Sequence, residues 1–390
     1  MTNQEKFWSA MALLSCAIFT SGGCDTPTPF DPGPGPGQPD GEPDLTGVWR
    51  RESGELLSFS EETLDYLVLD EGGTLKMTFR NQKTNMIHCS DTVYARISDN
   101  ALVLGYGGLQ SQVFAGAGVM LYAMPDPETL ELIEDVDLKT TFRREKTLPD
   151  ESQCKSLIVE QTFDELAVFP RRDSGLAYDG TSLWVTDEAT KMLYPIKPDS
   201  GKIGNPIQSD QTLNVFAIQG DDFWGVCDGC PVVLEKALAQ RRTKDNGQVV
   251  DSVFQTELGL TANSFEIAAI AFDDAAKVLW LHGKFKDTNH YGFLKVNAEG
   301  PEPDKLLDSV EFDDELKSIA SEGRFLWAIT SYPQRIVQID LETLLATATY
   351  EVPDSDIEWR GIAVVGSCLY LIGKDYRTNA GMLTKVSTGD

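Results

Sequence analysis

Few residues in this chain are equipped for catalysis or metal binding. Among 390 residues there are three histidines (His88, His282 and His290) and seven cysteines. His282 and His290 flank the turn KFKDTN, where two strands would make them cross-strand neighbours. Asp287 between them is the nearest third ligand, but a metal needs a fuller set, and separate surface histidines are the plainer reading. Cys227-Asp228-Gly229-Cys230 has redox spacing, yet it falls in a turn between strands. A thiol activated by a helix start has no place there. A local Cys227–Cys230 disulfide is expected instead, with Cys89–Cys154 as a second pair and Cys368 left as a buried thiol on an inner strand. No HExxH, GxSxG or Walker-type loop occurs. No catalytic residue is assigned on motif grounds, and no cofactor is implied.

The elements that would position any chemistry come from a phrase that returns five times: GLAYDGTSLWVTD, VFAIQGDDFWGVC, AIAFDDAAKVLWLHG, SIASEGRFLWAIT and GIAVVGSCLYLIG. It aligns Trp184, Trp224, Trp280, Trp327 and Tyr370 at spacings of 40, 56, 47 and 43 residues, the scale of a propeller blade. Each phrase supplies two strands. MLYPIKP, VVLEKAL, YGFLKVN, RIVQIDL and GMLTKVS supply the third, and KIGNPIQ, QVVDSVF, KLLDSVE and ATATYEV the fourth in four cases. The fifth repeat lacks an outer strand, and SLIVEQTF, residues 156–163, has no repeat of its own. Setting it beside 382–387 completes five blades. Ala177, Ala217, Ala271, Ala320 and Ala363 follow a large apolar residue in each repeat, as crowding of innermost strands near an axis requires. The register aromatics are therefore read as core.

Loops entering the innermost strands surround the mouth of such an axis. Ser174, Asn214, Ala268, Lys317 and Arg360 occupy the repeat position about ten residues before the aromatic, with Arg172, Asp173, Glu266 and Glu358 nearby. Of these, Arg172, Asp173, Asn214, Glu266, Lys317, Glu358 and Arg360 are the candidate ligand-binding residues. In outline the repeats resemble the NHL, YVTN and WD40-like propellers of bacterial envelopes. A lactonase-like relationship is compatible with them, although the Gly-His and Trp-Asp pairs of WD40 repeats are absent.

The first 44 residues have another character. Lys6 precedes a short apolar run from Phe7 to Phe19, too short to span a bilayer but right for a signal-peptide core. Ser21-Gly22-Gly23-Cys24 resembles the bacterial lipoprotein signal, which implies cleavage after residue 23 and diacylglycerol on Cys24. Asp25 resembles an inner-membrane retention signal of enterobacteria. A Pro/Gly-rich tether over 24–44 follows. Residues 45–150 then read as short strands joined by turns at Gly72-Gly73, Asp99-Asn100 and Pro125–Glu128, the pattern of an antiparallel meander closed into a small barrel. Gly47-Val48-Trp49 resembles the GxW motif of lipocalin-like barrels. That resemblance implies that Trp49 closes one end against Arg143 or Arg144 on the last strand, and that an apolar ligand or the barrel's own side chains fill the interior.

The expected fold is thus all-β, a small lipocalin-like barrel followed at 155–390 by a five-bladed propeller. A formal charge of −28, from 61 acidic and 33 basic residues, argues against nucleic acid and anionic lipid surfaces as partners. The expected protein is a monomeric, lipid-anchored envelope protein, periplasmic or at the outer surface. Its expected role is that of a noncatalytic module recognising a protein or polymer. The alternatives are a hydrolase, lactonase-like or cyclotransferase-like enzyme in the propeller, and a carrier of a small apolar ligand in the barrel.

Overall fold

The computed structural model describes residues 44–389 except 55–61, 71–73, 90–92, 99–100, 107–117, 136–137, 150–153, 169–174, 188–189, 191, 209–212, 228–237, 245–247, 262–263, 300–304, 313 and 332–333. Cys24 and the tether therefore lie outside the described residues. The chain divides into two compact units, one ending at Cys154 and the other running Lys155–Asp390. Both are built of strands, with no helix among the described residues.

The first unit is one antiparallel sheet of nine strands: β1 (Gly47–Ser53), β2 (Glu62–Leu69), β3 (Thr74–Asn81), β4 (Ile87–Cys89), β5 (Val93–Ser98), β6 (Ala101–Tyr106), β7 (Gly118–Asp126), β8 (Thr129–Asp135) and β9 (Leu138–Glu145). Hydrogen bonding runs β2-β1-β9-β8-β7-β6-β5-β3-β4, and β2 pairs with β3 as well. Alternation puts Leu67, Leu69, Leu75, Met77, Leu132 and Phe142 into a single apolar core. Asp65 is an extra residue in β2, so that Leu64 faces Phe79 and Tyr66 faces Thr78. This bulge shifts the phase of burial between Leu64 and Leu67.

Trp49 pairs in register with Arg144. Its ring is buried, its Nε1 donates to the Leu45 carbonyl at 2.8 Å, and the Arg144 guanidinium carbon lies 4.5 Å from the ring centroid. Of the two expected arginines, Arg144 is the one at the tryptophan, while Arg143 pairs with Glu52 on the surface at 3.1 Å. The Cys89–Cys154 disulfide is present and closes a loop with a sequence separation of 65. Replacing both cysteines by serine should lower the stability of the first unit by about 4 kcal/mol through loop entropy. Urea unfolding of the oxidised chain and the variant provides the check.

In the second unit, after β10 (Cys154–Lys155) and β11 (Ile158–Leu166), sheet one contains β12 (Leu176–Tyr178), β13 (Leu183–Thr186), β14 (Met192–Ile196) and β15 (Ile207–Gln208). Sheet two contains β16 (Leu213–Gln219), β17 (Asp222–Cys227), β18 (Ala239–Thr243) and β19 (Val249–Val253). Sheet three contains β20 (Phe265–Asp273), β21 (Val278–Phe285), β22 (His290–Asn297) and β23 (Leu306–Glu311). Sheet four contains β24 (Leu316–Glu322), β25 (Phe325–Thr330), β26 (Arg335–Asp340) and β27 (Ala346–Glu351), and sheet five β28 (Ile357–Val365), β29 (Cys368–Asp375) and β30 (Gly381–Ser387). β11 completes sheet five by pairing with β30, from Ile158↔Ser387 to Leu166↔Gly381. The first strand of each sheet lies against the first strand of the next, and β28 lies against β12.

Every register aromatic pairs with the small residue of its own repeat: Ala177↔Trp184, Ala217↔Trp224, Ala271↔Trp280, Ala320↔Trp327 and Ala363↔Tyr370. The turn between the two strands then satisfies the indole. Trp184 donates to Asp179, Trp224 to Gln219 and Trp327 to Glu322, at 2.6–2.7 Å and always to the residue five positions earlier. In sheet three that position is Ala275, and the buried Trp280 Nε1 has no hydrogen-bond partner, although the Lys295 ammonium lies 5.1 Å from its ring centroid. At the seam between β28 and β12, a Cβ added to Gly361 would come within 2.8 Å of the Leu176 backbone nitrogen. Glycine is needed there for close approach rather than for turning.

Three sequence expectations change. The third strand of sheet two is β18, AQRRT, not VVLEKAL, most of which lies outside the described residues. The charged strand holds because Arg241 lies between Asp222 and Asp251, 4.0 and 3.5 Å away, and 5.8 Å from the Trp224 ring centroid. Cys368 is a partly exposed residue at the start of the second strand of its sheet, not a buried inner-strand thiol, and its Sγ lies 3.6 Å from the Glu160 carboxylate. His282 and His290 are not cross-strand neighbours, since the register sets His282 opposite Phe293 and His290 opposite Phe285.

Candidate functional site

The innermost strands share an irregularity where they enter their sheets. In β24, Leu316 faces Thr330 and Ser318 faces Ile329, so Lys317 is an extra residue without an opposite number. In β28, Trp359 faces Gly373 and Gly361 faces Ile372, leaving Arg360 extra. In β20 the extra residue is Ala268. In β16 one of Asn214 and Val215 is extra between Leu213↔Cys227 and Phe216↔Gly225. A bulge re-aims the side chain it carries, and the same repeat position bulges in four successive sheets.

Two of these bulges converge on one carboxylate. The Glu358 Oε2 accepts from the Arg360 Nη2 at 2.6 Å, and its Oε1 accepts from the Lys317 Nζ at 3.4 Å. Arg360 is 5 % exposed, and the Lys317 and Glu358 side chains are 18 % and 16 % exposed, so this ion pair is far better shielded than a surface one. Burial pushes the Glu358 pKa up, but the hydrogen bonds and charges of Arg360 and Lys317 outweigh it, and the carboxyl ends below its ordinary value. Tyr376, from the turn after β29, adds its hydroxyl to Glu358. Although most of Tyr376 is exposed, partial desolvation of its hydroxyl end and then the Glu358 charge raise the pKa of that phenol.

The backbone beneath is fixed from the adjacent sheet. Gln334 donates to the Trp359 carbonyl at 2.7 Å and accepts from its amide at 3.1 Å, and Ser318 accepts from the Ile362 amide at 3.1 Å. The result is a half-buried carboxylate with a cation at each oxygen, held ionised to lower pH than an ordinary glutamate. A group of this kind can accept a proton from a nucleophile while the cations stabilise negative charge developing beside it.

A second constellation lies at the same ends of sheets three and four. The Tyr291 hydroxyl is bonded to Glu315, and burial followed by the Glu315 charge pushes its pKa up to about 12. His282 stacks parallel to Tyr291 with centroids 5.8 Å apart, and Phe293 and Phe312 pack edge-on to it. Burial holds this imidazole neutral, with a pKa lowered to about 3.

Among the expected binding residues, the structure brings Lys317, Glu358 and Arg360 together. Glu266 is exposed and pairs with Lys286 at 3.3 Å. Arg172, Asp173 and the Asn214 side chain lie outside the described residues, as do Cys230 and the Cys227 side chain expected to bond with it. His282 is buried among aromatic rings, whereas His290 and Asp287 are exposed. No three His, Cys, Asp or Glu side chains form a metal-binding group among the described residues. Tyr376, Gln334 and Tyr291 were not expected. Tyr376 and Gln334 reach the Glu358 site from turns, and Tyr291 reaches the second constellation from β22, positions that the repeated phrase does not align.

No family model matches this chain, and no curated protein matches it. Solved structures that resemble it include a glutaminyl cyclase from Myxococcus xanthus, at 10% identity and a TM-score of 0.41, covering 60% of this chain and 96% of that one. A PQQ-bound aldose sugar dehydrogenase from Streptomyces coelicolor is similar at 13% identity and a TM-score of 0.39, covering 60% and 98%. Kuenenia stuttgartiensis hydrazine synthase is similar at 10% and 0.33, covering 55% and 59%. The expectation of a noncatalytic binding module is corrected to the extent that two of these similar structures are named as enzymes; at these identities and TM-scores no activity passes from them to this chain.

Proposed function

We propose that this chain is a lipid-anchored envelope enzyme whose second unit, a five-bladed β-propeller, carries out acyl transfer of the hydrolase or cyclotransferase type at its mouth. The observation that carries the reading is Glu358 held ionised between Lys317 and Arg360 on the bulged ends of the innermost strands. In the reaction, an O–H or N–H nucleophile adds to a carbonyl carbon and its proton passes to Glu358. Lys317 or Arg360 hydrogen-bonds the resulting oxyanion. The bond to the leaving group then breaks, and Glu358 returns the proton to that group.

The β2–β3 pairing and the Trp49–Arg144 stack support a small lipocalin-like barrel in the first unit. The contacts among innermost strands and the β11–β30 pairing support the closed ring of blades. Cys24 is assigned the lipid, residues 24–44 the tether, and the bacterial envelope the location.

The test is turnover of a panel of lactones and peptides with N-terminal glutamine by the purified chain, against Glu358→Gln. Activity on at least one member should fall about 10²–10⁴-fold in the variant, the usual share of a positioned acid–base group. An active chain whose rate is unaffected by Glu358→Gln would remove the residue assignment, and a chain inactive on the whole panel would remove the proposed reaction class.

A further inference from the structure

The strands β20 and β28 stand at the edges of their sheets, each hydrogen-bonded to one neighbour. Both are nevertheless buried at Phe265 and Trp359, so the backbone groups that the ladder does not use need other partners there. In each case one glutamine supplies them. Gln255, just after β19, donates to the Phe265 carbonyl at 2.8 Å and accepts from its amide at 3.0 Å. Gln334, just ahead of β26, grips Trp359 in the same way, at 2.7 and 3.1 Å. A side-chain amide, which carries both donor and acceptor, stands in for a strand one residue wide.

The two clamps differ in what they hold. Gln255 holds β20 beside Glu266, an exposed carboxylate paired with Lys286. Gln334 holds the residue between Glu358 and Arg360, at the bulge where Trp359 faces Gly373 and Gly361 faces Ile372. A bulged strand has a competing arrangement, in which the pairing slips by one residue and side chains change face. Gripping both polar groups of Trp359 opposes that slip. Ser318, next to Lys317 in β24, accepts from the Ile362 amide, so β28 is pinned on both sides of Arg360.

We infer that Gln334 is a positioning residue of the mouth, pinning Trp359 so that Glu358 stays between Lys317 and Arg360. The inference rests on the enzymatic reading only for the kinetic part of its test. The groups about Glu358 are Lys317 from β24, Arg360 on its own strand, Lys374 opposite it on β29 and the Tyr376 phenol from the turn beyond. Asp314 and Glu315 precede Lys317, and Glu315 is bonded to Tyr291. Releasing Trp359 lets Glu358 drift from the two cations that favour its ionised form, and its carboxyl returns towards ordinary behaviour.

The second clamp supplies the control. Gln334→Met and Gln255→Met, made in the full chain, each keep much of the side-chain volume and remove the amide. Amide hydrogen exchange should quicken at Trp359 in the first and at Phe265 in the second. The Glu358 carboxyl, followed by NMR of its side-chain carbon and assigned through Glu358→Gln, should titrate at higher pH in Gln334→Met and at its unsubstituted position in Gln255→Met. On any panel substrate that is turned over, kcat should fall about ten- to a hundredfold in Gln334→Met with KM nearly unchanged, and hold in Gln255→Met. Should Gln334→Met fold poorly, Gln334→Asn, which keeps the amide but shortens its reach, carries the same expectations. Unaltered exchange at Trp359, a Glu358 titration that stays put although that exchange has quickened, or one that moves equally in Gln255→Met would overturn the inference. A Glu358 titration displaced only by the Gln334 variant, in a chain that turns over nothing on the panel, would strike the enzymatic reading and leave the positioning role standing.

Discussion

Trp49→Ala is expected to unfold the first unit while the second melts unchanged. The ring is buried within the core of the nine-stranded sheet, its Nε1 is bonded to Leu45, and the Arg144 guanidinium covers its face. Truncation removes the apolar surface, leaves a cavity beside Leu45 and strips Arg144 of its cation–π contact. Together these cost about 3–5 kcal/mol, comparable with the whole stability of a domain of this size. Differential scanning calorimetry of the full chain should show one transition lost and another unmoved. Trp49→Phe, which keeps much of the volume, should lose clearly less than the alanine variant. Two unmoved transitions in Trp49→Ala would contradict the place given to this residue and the lipocalin-like reading built on it.

Removing β11 is expected to be as damaging to the second unit. This strand is the outer strand of sheet five, and Phe163, Leu166 and Val168 on and just after it pack into a core shared with Leu176, Leu183 and Tyr370. Phe163 also lies directly over Gly201 of the first repeat, where a Cβ would come within 2.6 Å of its ring. Losing Phe163 and Leu166 costs on the order of 3 kcal/mol of buried apolar surface, leaves Val168 without its neighbours and exposes the β30 edge to other chains. Residues 155–389 and 167–389 should therefore behave differently: the longer chain soluble with a single cooperative transition, the shorter aggregated or molten. A soluble 167–389 with an unchanged transition would mean that the fifth sheet is sufficient without its outer strand.

Strand order in the second unit was legible because each repeat states it twice, once in an aromatic and once in the alanine across from it. Pairs such as Ala217↔Trp224 and Ala363↔Tyr370 bear this out. Even the partnerless residues 156–163 pointed to their place on β30. Sheet two misled because VVLEKAL is by composition a better strand than AQRRT, and only tertiary ion pairs from Asp222 and Asp251 make Arg241 acceptable in the ladder. His282 and His290 misled because β21 continues to Phe285 before the turn, which moves the pairing partner of His282 to Phe293.

The site was half legible. Lys317 and Arg360 could be found by counting back from the aromatic, and Glu358 from its neighbourhood to them. The reason the count works is a bulge, which is a property of pairing that no single strand's composition reveals. Tyr376 and Gln334 had no signal of their own, since one lies in a turn after β29 and the other just ahead of β26.

In the proposed reaction Glu358 acts as an ionised base whose proton affinity is held down by Lys317 and Arg360. Because its pKa in the folded protein lies below the ordinary glutamate value, the catalytic carboxylate persists as pH falls past about 4.3 and is lost only at the lower, folded value. Its ion pairs likewise contribute stability that is complete above the unfolded pKa and vanishes through the folded one. The decisive measurement is kcat/KM against pH on whichever panel substrate is turned over, with calorimetry confirming that the chain stays folded across the range. The acid limb should lie below the ordinary glutamate pKa in the unsubstituted chain and move upward in Lys317→Met. An acid limb near neutrality, or one that Lys317→Met does not move, would contradict it.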